Sequence, residues 1–110
     1  MRTAGVYRGD DFAGVLTEEN RSSYTFIYDE SYYVDSIKPA ISLTLPKTKQ
    51  KYQSEFLFPF FYNMLSEGVN KKLQSARLRI DENDSFGLLL ATAQFDTIGA
   101  VTIKPMEINK

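Results

Sequence analysis

The chain has 110 residues, which is enough for one hydrophobic core and too few for a second core of useful size. Its 13 basic and 14 acidic residues leave a formal net charge of -1, which excludes a general electrostatic attraction to phosphate backbones or anionic lipid. Cysteine and histidine are absent, which excludes disulfides, thiolate nucleophiles and imidazole metal ligands. We expect one domain over residues 1–110, in the cytoplasm, because no apolar run resembles a signal peptide or a membrane span.

The N-terminal part of the chain predicts three strands. Residues 3–7 and 12–17 flank the sequence RGDD, whose glycine and aspartates suit a tight hairpin turn. Residues 24–29, with the sequence YTFIYD, are dense in aromatic and β-branched side chains, which favour a strand. The chain is therefore expected to begin with a hairpin followed by a third strand.

Two further segments alternate with the period of two that is typical of a half-buried strand. In ISLTL, residues 41–45, the three apolar side chains would share one face, and Pro46 would end the strand. In AVTIKP, near the C-terminus, Val101 and Ile103 would share one face and Pro105 would close the run. These segments raise the expected number of strands to about five.

Apolar residues at helical spacing predict up to three short helices in between. The first begins at Pro59, a residue suited to a first helical turn, and ends or bends at Gly68. The third follows an N-cap at Asn83 or Asp84. The side chains expected to face inward are Phe60, Phe61, Met64, Leu65, Val69, Leu73, Ala76, Phe86, Leu89, Leu90 and Ala93. This order of elements indicates an α+β domain: a mostly antiparallel small sheet or partial barrel of about five strands, packed with two to three short helices.

No residue pattern in the chain indicates catalysis. Acidic doublets occur at residues 10–11, 18–19, 29–30 and 81–82, but each falls in a predicted turn or strand end, where acidic residues are common. Neighbouring side chains in a strand also point to opposite faces, so such doublets rarely converge on one atom. Glycine-rich phosphate-binding motifs and a nucleophile elbow are absent. We therefore expect no enzyme activity, no catalytic residue, no cofactor and no metal site.

Aromatic and basic residues leave one alternative open, a small α+β domain that binds a nucleotide or single-stranded nucleic acid. Single-strand binders interleave exposed aromatic rings with basic side chains. Lys47, Lys49 and Lys51 lie beside Tyr52 in the sequence, and residues 71–79 carry a second basic group. The near-neutral total charge and the acidic residues that follow the second group favour a solvated surface instead. Direct contact with nucleic acid is therefore the less favoured interpretation.

Several segments, read in chain order, resemble the N-terminal domain of HipA-type serine/threonine kinase toxins. The segments are AISLTLP, YQSEFLFPFFYNMLSEG and DSFGLLLATAQFDTIGAVTI, preceded by VYRGDDFAGVLT at the start of the domain. They follow the family pattern S-L-P, P-F-F-x-N-L-L-P-E-G, F-x-L-L and D-x-x-G-A. Ser66 stands where the family often has proline, and Gln94 and Phe95 stand where it usually has a glycine before the aspartate. Phosphoryl-transfer motifs are absent from the sequence, and we expect the protein to lack the kinase core that follows this domain in the family.

The resemblance implies a stand-alone form of the domain, like the small HipS-like protein of three-gene toxin–antitoxin systems. It implies a non-catalytic, antitoxin-like regulatory subunit that docks on a separately encoded HipA-like kinase core protein and modulates it. A helix-turn-helix repressor is a further expected member of the complex, and no membrane contact is expected. Turns between helices often carry binding residues. The residues expected to bind the partner are Asn63, Met64, Ser66, Glu67 and Gly68.

Overall fold

The computed structural model describes residues 2–63, 76–81, 83–92 and 101–106. Within these ranges, residues 76–78 are helical, and the other elements have the following bounds. The strands are β1 (Arg2–Arg8), β2 (Asp11–Asn20), β3 (Ser23–Tyr28), β4 (Lys51–Ser54) and β5 (Val101–Met106). The helices are α1 (Glu30–Val34), α2 (Pro59–Tyr62) and α3 (Ser85–Thr92). Among the described residues, no helix has the length and apolar character needed to cross a bilayer.

The described strands form one open sheet in the order β4-β3-β2-β1-β5, and every neighbouring pair is antiparallel. The first three strands are consecutive hairpins, and β5 returns to pair with β1. Gly9 makes the first hairpin turn with a φ of 63°, a left-handed conformation that glycine adopts without steric cost. The predicted α+β fold with an antiparallel sheet of five strands is confirmed.

The core lies on one face of this sheet, against α2 and α3. Residues directly opposite each other in an antiparallel pair share a face, and Leu16 pairs with both Ala4 and Phe26. The ring of Phe26 lies 5.8 Å from that of Phe61 in α2, measured between centroids. The buried apolar residues of the described chain are Ala4, Val6, Ala13, Leu16, Tyr24, Phe26, Tyr28, Tyr32, Ile41, Leu45, Leu57, Phe58, Phe61, Phe86, Leu88, Leu89, Val101 and Ile103.

The predicted strand at residues 41–45 is wrong. Ile41 and Leu45 are buried, but Leu43 is 99% exposed, so the three apolar side chains do not share a face. The backbone N–H of Leu45 donates to the carbonyl of Ser42 at 3.1 Å, which closes a turn. A strand needs a neighbouring ladder for its backbone groups, whereas here the hydroxyl of the buried Tyr28 accepts from the Ile41 N–H and donates to the Leu45 carbonyl.

The first and third predicted helices are confirmed at their N-terminal ends, and the start of the second lies outside the described residues. Helix α2 begins at Pro59, and α3 follows Asp84, whose Oδ1 accepts a hydrogen bond from the Gly87 N–H at 3.1 Å in the manner of an N-cap. Ala76 is exposed, so its predicted inward position is wrong. Six further residues named in the helix predictions lie outside the described residues, namely Met64, Leu65, Gly68, Val69, Leu73 and Ala93.

Two described elements had no prediction, and three strands, β1, β2 and β5, are longer than expected. Helix α1 has only five residues. Strand β4 has four residues, lies on the edge of the sheet and has one exposed face. Such short elements carry too few residues for a periodic pattern. Strand β5 continues through Pro105 to Met106, because a proline is tolerated on an edge strand.

Candidate functional site

An open groove of about 680 Å³ lies at the end of the sheet where β1 begins, β2 ends and β3 begins. The segment before α2, the last residue of α2 and the segment before α3 close its other sides. Its described lining consists of Arg2, Glu18, Arg21, Tyr24, Phe56, Leu57, Tyr62, Asp81, Asn83, Asp84 and Ser85. Polar and aromatic side chains thus meet beside the edge of the hydrophobic core.

The strand register places three of these side chains in one row. Arg2 of β1 lies directly opposite Glu18 of β2, and Glu18 lies directly opposite Tyr24 of β3. This row continues the core face of the sheet, because it is two residues beyond the row of Ala4, Leu16 and Phe26. The groove is therefore the place where the core face of the sheet becomes polar.

Arg2 connects the sheet to the start of α3. Its Nη2 atom lies 2.6 Å from Glu18 Oε1, and its Nη1 and Nη2 atoms donate to the two carboxylate oxygens of Asp84 at 3.0 and 2.7 Å. The guanidinium carbon lies 5.2 Å from the centre of the Phe86 ring. A bidentate arginine–carboxylate pair has a more defined geometry than a single contact. Arg2 thereby orients α3 over the sheet.

The pKa values of Arg2, Asp84 and Tyr24 are shifted away from neutrality. The hydrogen bonds from Arg2 lower the pKa of Asp84, against the opposing effect of burial. The hydrogen bond to Asp84 raises the pKa of Arg2, and burial raises the pKa of Tyr24. A general acid or base works best with a pKa near the operating pH. These three groups are therefore suited to holding the fold and not to transferring protons.

The rim of the groove carries exposed aromatic side chains. Phe56 is 76% exposed, and Tyr62, the last residue of α2, is also exposed. Asn63 follows Tyr62, is exposed, and donates its backbone N–H to the Pro59 carbonyl at 2.9 Å as the C-cap of α2. The other four residues that were predicted to bind a partner, Met64, Ser66, Glu67 and Gly68, lie outside the described residues.

Sequence reasoning missed the charged part of this groove. Arg2, Glu18 and Asp84 are far apart in the chain and form no local motif. The one signal in the sequence is the alternation of side chains between the two faces of β1 and β2, which would place Arg2 and Glu18 on the core face. Phe56 lies in the segment YQSEFLFPFFYNMLSEG, and the composition of that segment does not indicate that this side chain is exposed.

Two of the three lysines on which the nucleic-acid interpretation rests lie over tyrosine rings of the same chain. The Nζ atom of Lys49 lies 4.8 Å from the centre of the Tyr52 ring, and that of Lys47 lies 5.1 Å from the centre of the Tyr32 ring. The ammonium of Lys47 also donates to the carbonyls of Asp35 and Lys38 at 2.6 and 2.7 Å. Within the described parts of the chain, no group of three or more acidic, histidine or cysteine residues could hold a metal ion.

The contribution of the Arg2–Asp84 ion pair can be isolated with Asp84→Asn, because asparagine retains the capping ability of aspartate. Arg2 and Asp84 side chains are 39% and 33% exposed, so screening by solvent limits the expected loss to less than about 1 kcal/mol. Asp84→Ala also removes the cap and is expected to cost about 1 kcal/mol more. Urea unfolding of the three proteins measures both differences.

The effect of Asp84→Asn should also depend on pH. The folded-state pKa of Asp84 is lowered, so the ionised carboxylate stabilises the fold above its unfolded-state pKa, roughly 3.9. This contribution is lost as the pH falls through the lower folded-state pKa. The difference between wild type and Asp84→Asn is therefore expected to be constant near neutral pH and to shrink below about pH 4. An unchanged difference at about pH 2 would contradict the ion pair.

Comparison with known proteins identifies the fold. A sequence model of the family described as "HipA N-terminal domain" matches residues 4–104. A Haemophilus influenzae protein described as "Uncharacterized protein" is 32% identical over 104 residues, covering 94% of this chain and 92% of that protein. A Sinorhizobium fredii protein described as "Putative kinase Y4dM" is 34% identical over 98 residues, covering 84% of this chain and 24% of that protein.

Solved structures agree with this match. A chain described as "N-terminal domain of HipA toxin" has a TM-score of 0.73 and 28% identity, and the alignment covers 99% of this chain and 96% of that one. The sequence match and the structural match both extend over nearly the whole chain. The chain therefore belongs to the HipA N-terminal domain family.

Proposed function

We propose that this protein is a non-catalytic, antitoxin-like regulatory subunit in the cytoplasm that docks on a separately encoded HipA-like serine/threonine kinase and modulates it. The observation that supports this most is the unequal coverage of its relatives. The chain matches 24% of the length of the Y4dM protein but 92% of the Haemophilus influenzae protein. The same domain thus occurs as a quarter of a longer protein and as nearly all of a short one.

That difference supports the proposal that the domain docks on a separate chain. A domain that is joined to a longer chain can pack against it through an interface of the kind that separate proteins use. When the domain is a separate chain, the same face is available for binding. A helix-turn-helix repressor is a further proposed member of the complex.

The groove at the end of the sheet, with the turn that follows α2, is the proposed docking site. Its rim carries the exposed aromatic side chains of Phe56 and Tyr62, and aromatic residues are enriched among the residues that dominate binding energy. Asn63 follows Tyr62 in the chain, and Met64, Ser66, Glu67 and Gly68, which come next in the sequence, are proposed to bind the same partner. Inside the groove, Arg2 is already paired with Glu18 and Asp84.

Co-expression with a HipA-like kinase from the same genome that lacks this domain tests the proposal. We expect the two proteins to co-purify through a tag on the kinase and to co-elute in size-exclusion chromatography. We also expect the rate of kinase autophosphorylation to change when the subunit is added. If a folded kinase forms no complex at roughly micromolar concentration, the proposed function is wrong.

Phe56→Ala locates the contact. Because the side chain is 76% exposed, the free energy of unfolding should change by no more than about 0.5 kcal/mol. The dissociation constant for the kinase is expected to rise about tenfold, as for an aromatic anchor. Leu78→Ala, which removes another exposed apolar side chain outside the groove lining, is the matched control. If Phe56→Ala and Leu78→Ala have the same dissociation constant for the kinase, the contact lies elsewhere.

A further inference from the structure

The connection between α1 and β4, residues 35–50, is fastened to the domain by side chains from the adjoining elements. We call it the anchored loop. The hydroxyls of Tyr28, Tyr32 and Tyr52 donate to backbone carbonyls at three points along it. Those carbonyls belong to Leu45, Pro39 and Pro46. Burial raises the pKa of Tyr28 to about 12, so its hydroxyl keeps its proton for this bond throughout the physiological range.

A lysine ties the two ends of the anchored loop together. The Nζ atom of Lys47, near the end of the loop, donates to the carbonyls of Asp35 and Lys38 near its start. The Lys47 and Lys38 ammonium groups lie 5.1 and 5.7 Å from the centre of the same Tyr32 ring. These bonds satisfy backbone carbonyls that have no strand partner and hold the loop in one conformation.

The anchored loop holds large apolar side chains in solvent. Leu43 is 99% exposed at the tip of a turn, although Ile41 and Leu45 on either side of it are only 7% and 2% exposed. Ile37 is 89% exposed, and Val34 just before the loop is also exposed. A single exposed leucine is ordinary, but three large exposed apolar side chains occur here within ten residues, on or next to a segment held in one conformation, where each is available for contact.

The same part of the chain is strongly basic. Residues 34–51 contain four lysines and one aspartate, a net charge of +3, and the rest of the chain has nine basic and thirteen acidic residues, a net charge of -4. Asp11 lies 3.4 Å from the Lys38 ammonium and offsets part of the positive charge. Lys49 and Lys51 are exposed. A surface of this kind attracts a partner of opposite charge.

We propose that the anchored loop is a second docking surface, which binds a region of the kinase where carboxylates surround an apolar pocket. Leu43 and Ile37 would enter the pocket, and Lys49 and Lys51 would face the carboxylates. The proposal rests on the proposed function, because that function supplies the kinase as the partner. It adds a separate surface and states the chemistry of the region that the surface binds.

The charge distribution disfavours other occupants. A symmetric dimer joined through this loop would bring two basic loops together, and like charges oppose such a contact. A lipid surface or a nucleic acid would draw on freely available lysines, whereas Lys47 is bound to carbonyls and Lys38 lies beside Asp11. Apolar anchors with a partly neutralised basic surround fit a protein pocket better.

The anchored loop and the groove lie at opposite ends of β3. The loop is fastened to Tyr28, the last residue of the strand, whereas the groove includes Tyr24 near its start. Tyr24 and Tyr28 are four residues apart, roughly 13 Å along the strand, so the two surfaces can act as separate contacts. The kinase partner expected here corresponds to about the other three-quarters of a protein like Y4dM, which is large enough to reach both.

The test uses isothermal titration calorimetry to measure the dissociation constant of the purified kinase for the full chain and five variants. Leu43→Ser is expected to weaken binding about tenfold or more, and Leu78→Ser is its control. Lys49→Gln is expected to weaken binding at low salt and to reduce the salt dependence. Lys104→Gln is its control, because Lys104 is exposed and lies 5.0 Å from the Tyr7 ring centre, as Lys49 lies 4.8 Å from that of Tyr52.

Each outcome decides the proposal. If wild type binds the kinase and Leu43→Ser binds within about twofold of it, the loop proposal is wrong and the proposed function stands. If wild type forms no complex, both are wrong. Two controls test the other occupants: self-association of the free chain and its binding to phosphatidylserine vesicles. If either is observed for wild type and lost in Leu43→Ser, the loop binds another occupant and the proposal is wrong. Thermal unfolding confirms that every variant is folded, and Ile37→Ser repeats the test at a second exposed position.

Discussion

Phe26→Ala is expected to lower the free energy of unfolding by about 4 kcal/mol, the largest effect of any substitution proposed for this protein. The Phe26 side chain is fully buried at the centre of the core face, and its ring lies 4.8 Å from that of Tyr28 and 5.8 Å from that of Phe61. Alanine removes the buried ring and leaves a cavity between the sheet and α2. Urea unfolding followed by circular dichroism measures the loss.

Ile27→Ala is the matched control for this substitution. Ile27 is the next residue of β3 and is 40% exposed, because neighbouring side chains in a strand face opposite sides of the sheet. We expect a loss of about 1 kcal/mol at this position. A similar loss at positions 26 and 27 would show that the core does not lie on the face described.

Gly14→Ala is expected to destabilise the protein by about 3 kcal/mol, near the upper end of the usual range for overpacking. A Cβ atom on Gly14 would overlap the backbone carbonyl oxygen of Ile27 and lie 2.9 Å from Cζ of Phe26. A carbonyl oxygen in a strand cannot move without disturbing the ladder between β2 and β3. The measurement is the midpoint and slope of urea unfolding, which separate lost stability from a change in the unfolded state.

Gly5→Ala provides the comparison for Gly14→Ala. Gly5 is also a buried glycine in a central strand, but a Cβ there would meet only side-chain atoms, of which the nearest is Tyr7 Cε1 at 3.1 Å. The Tyr7 side chain can move by a few tenths of an ångström, so the expected decrease in the free energy of unfolding is below about 1 kcal/mol. If Gly5→Ala proved as harmful as Gly14→Ala, collision with backbone would not be the reason for the glycine in β2.

Much of the sheet could be predicted from local patterns. The turn residues of RGDD, the aromatic residues of YTFIYD and the alternation around Val101 and Ile103 identify four of the five described strands. The start of α3 could also be predicted, because Asp84 caps its own neighbours. In each of these cases the deciding interaction is between residues close in the chain, or is simply the burial of one strand face.

The anchored loop shows why the remainder could not be predicted in this way. The alternation in ISLTL satisfies the rule for a half-buried strand, yet the segment forms a turn that buries Ile41 and Leu45 and exposes Leu43. Its conformation depends on the hydroxyl of Tyr28, which lies 13 residues earlier than Ile41 in the chain. No local pattern contains that partner.

The charged row of the groove depends on a single register shift. Counting outward from the turn after Arg8 would place Arg2 opposite Thr17, but the shift between Val6 and Tyr7 adds one residue on the β2 side, so Arg2 lies opposite Glu18. That shift brings the guanidinium between Glu18 and Asp84. It depends on how the two strands pack against the core, which neighbouring residues do not specify.

The sequence by itself determined the α+β class, the family, and the shared face of Val101 and Ile103, because these follow from periodicity and from the order of motifs along the chain. Only the tertiary structure decided the groove with its Arg2–Asp84 pair and the exposure of Leu43. Both arise from contacts between residues distant in the chain, namely a shifted strand pair in one case and a buried tyrosine hydroxyl in the other. Such contacts exist only after the sheet and its covering helices have come together.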